Sequence, residues 1–253
     1  MNTPPNTGAN ATVDTRTGTP LRRSASAPMR KYEVSYLRSN GDIGELSRMA
    51  PALPTFENAF GVLGRGAMVA TENGPMTVED LLPGDRIKLA TGEFETLLWR
   101  GSILIHPDQD GHHSEYNRLT RITADALGPA RPSPDLILGP TANLLHRATG
   151  VRTLTGKRAA FIPVRDFIDG SQFIELRPAM PVNVYQLGFA RQESLLVNGI
   201  EIESLHPGTF FGLGLRGELL AQYLTLFPHK IDLDDFGEMR HPRLRLRDLE
   251  LLE

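Results

Sequence analysis

Gly66-Ala67-Met68-Val69-Ala70-Thr71-Glu72-Asn73-Gly74-Pro75-Met76-Thr77-Val78-Glu79-Asp80-Leu81-Leu82-Pro83-Gly84-Asp85 is the stretch that decides the fold. Met68 to Ala70 predicts a short apolar strand. Asn73-Gly74 predicts a two-residue type I′ hairpin turn, because such a turn needs positive φ at both central residues. Thr77, with Asp80 three residues on, predicts a capped turn of helix running to Leu82. Pro83-Gly84 stops it, and Asp80 and Asp85 read as cap and turn formers rather than an acid/base pair. Arg86 to Leu89 then predicts a strand with Ile87 and Leu89 on one face.

The same texture continues downstream. Strands are predicted over Thr96–Ile105, Arg121–Ala126 (Ile122, Ala124 and Ala126 on one face), Leu136–Leu138, Val182–Leu187 and Leu195–Val197. Phe161–Phe167 reads as a strand plus a short helix. Residues 144 to 157 read as hairpins around Thr149-Gly150 and Thr155-Gly156. Roughly ten to twelve short strands with little helix predict an all-β, mostly antiparallel, curved sheet protein. Upstream, residues 1 to about 29 lack large apolar side chains and cannot offset the entropy of ordering, so they are expected to be disordered. Tyr32, Val34 and Tyr36 alternate with Glu33, Ser35 and Leu37 ahead of Ser39-Asn40-Gly41-Asp42, a weak strand-and-turn signal. Residues 48–58 carry Pro51 and Pro54 and read as linker. The division is therefore 1–55 as disordered segment and linker, 56–209 as the compact domain, and 210–253 as a C-terminal extension. In the extension, Leu219, Leu220, Tyr223, Leu224 and Phe227 fall at helical spacing. Arg243 to Leu251 alternates leucine with charge, as an edge strand or a short helix. The extension packs on the domain or meets a protein partner, with packing favoured.

Composition narrows the function. The chain has 253 residues, a formal net charge of -3, 40% hydrophobic and 23% charged residues, 24 glycines and 19 prolines. The acidic balance (pI about 6.2) argues against nucleic acid as a partner. No apolar run approaches the ~18 residues of a membrane span, and the N-terminus has no secretory-signal pattern. A soluble chain is expected, in the cytoplasm or secreted without a recognisable signal. Zero cysteines exclude disulfides, thiolate zinc sites and a thiol nucleophile. No phosphate loop, nucleophile elbow or His-Glu-x-x-His helix occurs, so no cofactor is expected. His106, Asp108, Asp110, His112, His113 and Glu115 crowd one polar loop, 106–117, but fit no usual metal spacing; a solvated insertion is favoured there over a metal or small-ligand site.

Four blocks resemble the Hint domain, the module shared by hedgehog proteins, inteins and many bacterial proteins. The first is Gly66–Asp85. The second is Asp125-Ala126-Leu127-Gly128-Pro129-Ala130-Arg131-Pro132 with Asp135-Leu136-Ile137-Leu138-Gly139-Pro140. The third is Phe161-Ile162-Pro163-Val164-Arg165-Asp166-Phe167-Ile168-Asp169-Gly170. The fourth runs from Val184-Tyr185-Gln186-Leu187 through Asn198-Gly199 to Glu203-Ser204-Leu205-His206-Pro207-Gly208. Together they cover about residues 60 to 209.

The resemblance implies a self-processing reaction. In the family a nucleophile attacks the carbonyl carbon of its own preceding peptide bond, a general acid protonates the leaving nitrogen, and donors hold the oxyanion. It also implies where those groups would stand. The family cysteine, four residues before the glycine matching Gly66, maps to Val62. The second-block histidine maps to Ala142, and the histidine after the Tyr185 strand maps to Gln192. A methyl group moves no proton, and an amide does not titrate near neutral pH. Thr71, Asp85 and His206 are retained family positions, with His206 read as a turn histidine. The leading expectation is a catalytically degenerate Hint-like domain serving as a structural or interaction module. The rivals are residual autoprocessing through a hydroxyl such as Thr71 or Thr141, and ligand or metal binding at 106–117. A small polar pocket of Thr141, Asn143 and Gln192 is a lesser candidate.

Overall fold

A computed structural model describes residues 28–107 and 115–250. In chain order its strands are β1 (Met29–Leu37), β2 (Ile43–Pro51), β3 (Leu63–Gly64), β4 (Met68–Thr71), β5 (Gly74–Thr77), β6 (Arg86–Lys88), β7 (Phe94–Thr96), β8 (Trp99–Ile105), β9 (Leu119–Ile122), β10 (Leu136–Leu138), β11 (Asn143–His146), β12 (Ala160–Pro163), β13 (Phe173–Leu176), β14 (Val182–Gly188), β15 (Ser194–Val197) and β16 (Ile200–Glu203). Five short helices accompany them: α1 (Pro54–Glu57), α2 (Thr149–Thr155), α3 (Phe210–Leu213), α4 (Gly217–Leu224) and α5 (Leu246–Glu250). One sheet runs β13-β9-β10-β3-β14-β8-β1-β2; the other runs β12-β11-β16-β15-β4-β6-β7, with β5 paired to β4. The strand ladders are antiparallel throughout.

Turn chemistry departs from expectation at one hairpin and meets it at another. β4 and β5 pair Thr71 with Gly74, so the loop is Glu72-Asn73 and Gly74, at φ +101°, opens the next strand. The Asn-Gly turn with both residues at positive φ lies instead at Asn198 (+47°) and Gly199 (+82°), joining β15 to β16. Two other segments also differ. Residues 149–155 form helix α2 rather than hairpins, ended by Gly156 at φ +70°. The Arg121–Ala126 strand stops at Ile122, because Asp125 turns at φ +62° and its side chain accepts from the Ala130 amide.

The N-terminal boundary is corrected outright. Residues 29–51, placed by the sequence reading within a disordered segment and linker, form a full hairpin that joins the first sheet through β1–β8 pairing. Alternation explains it: Tyr32 and Val34 are buried while Lys31 and Glu33 face outward. Residues 1–27, expected to be disordered, lie outside the described residues.

Two main cores result. The first gathers Leu63, Val69, Leu81, Ile87, Leu187 and Ile202 from both sheets. The second is aromatic and joins the N-terminal hairpin to the C-terminal extension. Tyr32 of β1, Phe56 of α1, Phe60, Trp99 of β8, Tyr223 of α4, Phe227 and Phe236 pack ring against ring at centroid distances from 4.9 to 6.2 Å. Gly101 is needed here, since a Cβ on it would stand 2.5 Å from the Phe60 ring. The Trp99 indole N–H donates to the Leu226 carbonyl at 2.8 Å.

The extension therefore packs on the domain. Beyond α4 it crosses to the edge of the second sheet, where the Phe161 amide donates to the Pro242 carbonyl and the Leu244 amide donates to that of Phe161. Three arginines tether it: Arg240 to Glu193 (2.7 Å), Arg243 to Glu203 (2.9 Å) and Arg245 to Asp166 (2.7 Å). No helix among the described residues is long and apolar enough to cross a membrane.

Candidate functional site

α1 ends in a tight turn in which the Phe60 and Gly61 amides both donate to the Glu57 carbonyl. That turn delivers the Gly61–Val62 peptide bond to the mouth of β3. The Gly61 carbonyl oxygen accepts two hydrogen bonds from one residue: the Thr141 hydroxyl at 2.7 Å and the Thr141 amide at 3.0 Å. On the other side of the bond, the Val62 amide donates to the Tyr185 carbonyl at 3.2 Å. Gly139 lies flat against this peptide; a Cβ there would stand 2.6 Å from the Gly61 carbonyl carbon. The carbonyl is thus polarised by two donors in a fixed frame, the arrangement an oxyanion requires. The residue after it is Val62, an aliphatic side chain 3% exposed and packed in the first core. Ala142 is 1% exposed, its methyl group part of the same core.

The peptide opens onto a cleft of about 410 Å³ lined by the segment around α1, by the sheets and by the extension. Thr55, Asn58 and Val62 come from the N-terminal side, Thr141, Asn143 and Gln186 from the strands, and Leu213, Tyr223, Met239 and Arg243 from the extension. Beneath it lies a buried polar cluster. Glu203, 3% exposed at the end of β16, accepts from Asn143 Nδ2 at 2.6 Å, from Gln192 Nε2, and from Arg243 Nε at 2.9 Å. The Gln192 side-chain oxygen in turn accepts the His241 amide at 3.1 Å. Burial pushes the Glu203 carboxyl above its ordinary range, while the Arg243 guanidinium and the donated hydrogen bonds oppose that shift.

His206 lines the cleft, but its two ring nitrogens are occupied. Nδ1 accepts the Gly208 amide at 3.0 Å, so Nε2 carries the proton and donates to the Gly237 carbonyl at 3.0 Å. Burial lowers its pKa, favouring this neutral form. The Nε2 bond ties the end of the second sheet to the extension.

The remaining sequence candidates disperse. The Thr71 hydroxyl donates to the Gly74 carbonyl and accepts the Asn73 amide, a hairpin fastening away from the cleft. Asp85 accepts the Leu82 amide at 2.7 Å and Asp80 accepts the Thr77 hydroxyl at 2.6 Å, both within turns. Thr141 and Asn143 both line the cleft, and Asn143 meets the buried Gln192 through Glu203. Sequence reasoning missed Glu203 and Arg243. Glu203 stood inside a quoted block and continues the alternation of Ile200 and Ile202; only the register of β16 with β15 shows it turning inward. Of the 106–117 loop, residues 108–114 lie outside the described residues. Among the described residues no group of three or more metal-capable side chains converges.

Residues 62–209 match the family model described as a Hint domain. No curated protein matches the chain. Among solved structures, a bacterial intein-like domain from Clostridium thermocellum is 12% identical, with 56% of this chain and 96% of that one covered at a TM-score of 0.37. The AceL NrdHF class 3 split intein, a GSH-linked splice-inactive variant, is 9% identical, with 57% and 98% covered at a TM-score of 0.38.

Proposed function

We propose, from the premise that this chain belongs to the Hint-domain family, that it is a Hint module in which self-processing no longer runs and that it serves as a structural or interaction module. The observation that carries this reading is the Gly61–Val62 bond. Its carbonyl keeps two donors from Thr141, but the following side chain is a buried valine, which has no atom able to attack it. Ala142 and the hydrogen-bonded Gln192 supply no acid at the two positions where the family resemblance implies one. His206 is kept neutral by burial, with its Nδ1 accepting the Gly208 amide.

A residual route through Thr141 meets a geometric objection. Its hydroxyl is spent on the carbonyl oxygen, so it acts as an electrophilic donor where a nucleophile would have to approach the carbon.

The reading is tested by returning the missing atom. Val62→Cys is close in volume and is compared with the wild-type chain, each tagged at both ends and incubated with excess thiol. Thiol-dependent fragments ending at Gly61 are expected only from the variant, and are expected to fall when Thr141→Val is added. Fragments at that bond from the wild-type chain would contradict the reading.

A further inference from the structure

We propose that the cleft beside Gly61–Val62 binds a small monocarboxylate with an apolar body, its anionic head held by Gln186 and Arg243. This goes beyond the silent-module reading, because it assigns the cleft a ligand. Among the described residues, the charged side chains lining the cleft are Arg165 and Arg243, with no carboxylate beside them in the lining. The cleft therefore presents positive charge to whatever enters.

The decisive residue is Gln186, 4% exposed on β14. Its side-chain oxygen accepts the Leu187 amide at 2.9 Å, which fixes which end of the side-chain amide is oxygen. The other end, the NH2 group, has two N–H donors and no hydrogen-bond partner among the described residues, and the residue forms part of the cleft wall. Those donors face the cleft, where an anionic acceptor makes stronger, charge-assisted hydrogen bonds than water does.

Arg243 supplies the second donor. Its Nε is engaged by Glu203 and its Nη2 donates to the His206 carbonyl at 2.7 Å, which leaves Nη1. Nη1 lies beside Gly208, and both residues line the cleft. Glu203 already offsets part of the Arg243 charge, which favours a monoanion over a dianion such as phosphate. Val62, Ala59, Leu213 and Tyr223 complete the wall, an apolar surface for an aliphatic body. At about 410 Å³ the cleft is in the size range of small-ligand sites.

The test titrates the full chain with hexanoate and with hexanamide, following melting temperature and amide chemical shifts. Hexanoate is expected to raise the melting temperature saturably and to shift the resonances of Gln186 and Arg243. Hexanamide, lacking the charge, is expected to bind about ten- to a hundredfold more weakly. Gln186→Glu keeps the acceptor for Leu187, replaces the donors with negative charge and is expected to abolish the response. The hexanamide comparison stands on its own if that variant does not fold. Peptides ending in an apolar residue with a free or an amidated terminus identify the source of the carboxylate. A free peptide that outbinds hexanoate points to a chain terminus, and the reverse order points to a small molecule; both support the chemical class. No saturable response to hexanoate, or equal responses to hexanoate and hexanamide, overturns the proposal. Intact mass on the same samples keeps loss of binding distinct from any processing.

Discussion

Phe227→Ala tests whether the N-terminal hairpin, the C-terminal extension and the Hint domain form one cooperative unit. Phe227 is fully buried and stacks within 4.9 Å of Tyr223, 5.2 Å of Trp99, 5.5 Å of Phe236 and 6.2 Å of Phe60. Truncating a buried phenylalanine costs about 3–5 kcal/mol through lost transfer energy and the cavity left behind. The backbone on either side is fixed by neighbours, including the Trp99 bond to Leu226, so the site cannot collapse and about 4 kcal/mol is expected. With a urea m-value of about 2 kcal/mol/M, the unfolding midpoint falls by about 2 M. The chain has one tryptophan, so urea titration followed by Trp99 fluorescence reads this junction directly, and far-UV circular dichroism reads the sheets. Both transitions are expected to move together. A midpoint shift under about 0.5 M, or a fluorescence transition that moves while the dichroism stays, would refute the argument and make the extension a separable appendage.

Other outcomes follow from the same geometry. Gly139→Ala forces a Cβ to within 2.6 Å of the Gly61 carbonyl carbon and should cost several kcal/mol, read as a lower urea midpoint or insoluble protein. Arg243→Met strands the buried Glu203 carboxylate and should cost about 3 kcal/mol, most of which Glu203→Gln in the same chain should recover; a purely additive pair of losses would contradict the buried ion pair. His229, between Trp99 and Phe236, has its pKa lowered by burial to about 3. The unfolded chain then binds its proton first, so stability is full above about pH 6.5 and falls as the pH drops towards 3. Relative to His229→Phe, the wild-type chain should lose about 2 kcal/mol between pH 7 and pH 5, measured by urea midpoints at each pH; parallel pH profiles would count against it.

Much of the architecture was legible because burial imposes alternation on short strands. β10 at Leu136–Leu138 and β14 from Val182 were readable as apolar runs between breakers. What escaped depended on distant partners. The β1–β2 hairpin carried the right alternation, but its apolar face is explained only by Phe60, Trp99 and Phe227, remote in sequence. Thr149–Thr155 scored as turns because Thr and Gly are poor helix formers; packing of Val151 against Leu249 overrides that preference. At the site, the substitutions at 62, 142 and 192 could be located through the family blocks. The Thr141 donors, the Glu203–Arg243 pair and the unspent donors of Gln186 could not, since each depends on strand register or on where the extension docks.

The most direct measurement is the intact mass of the wild-type chain, tagged at both ends, after prolonged incubation with and without hydroxylamine. An acyl shift leaves the mass unchanged but creates an ester that hydroxylamine cuts. A single full-length mass under both conditions is the expected result. Paired fragments breaking between Gly61 and Val62, with or without hydroxylamine, would contradict the account and return a working nucleophile to this site.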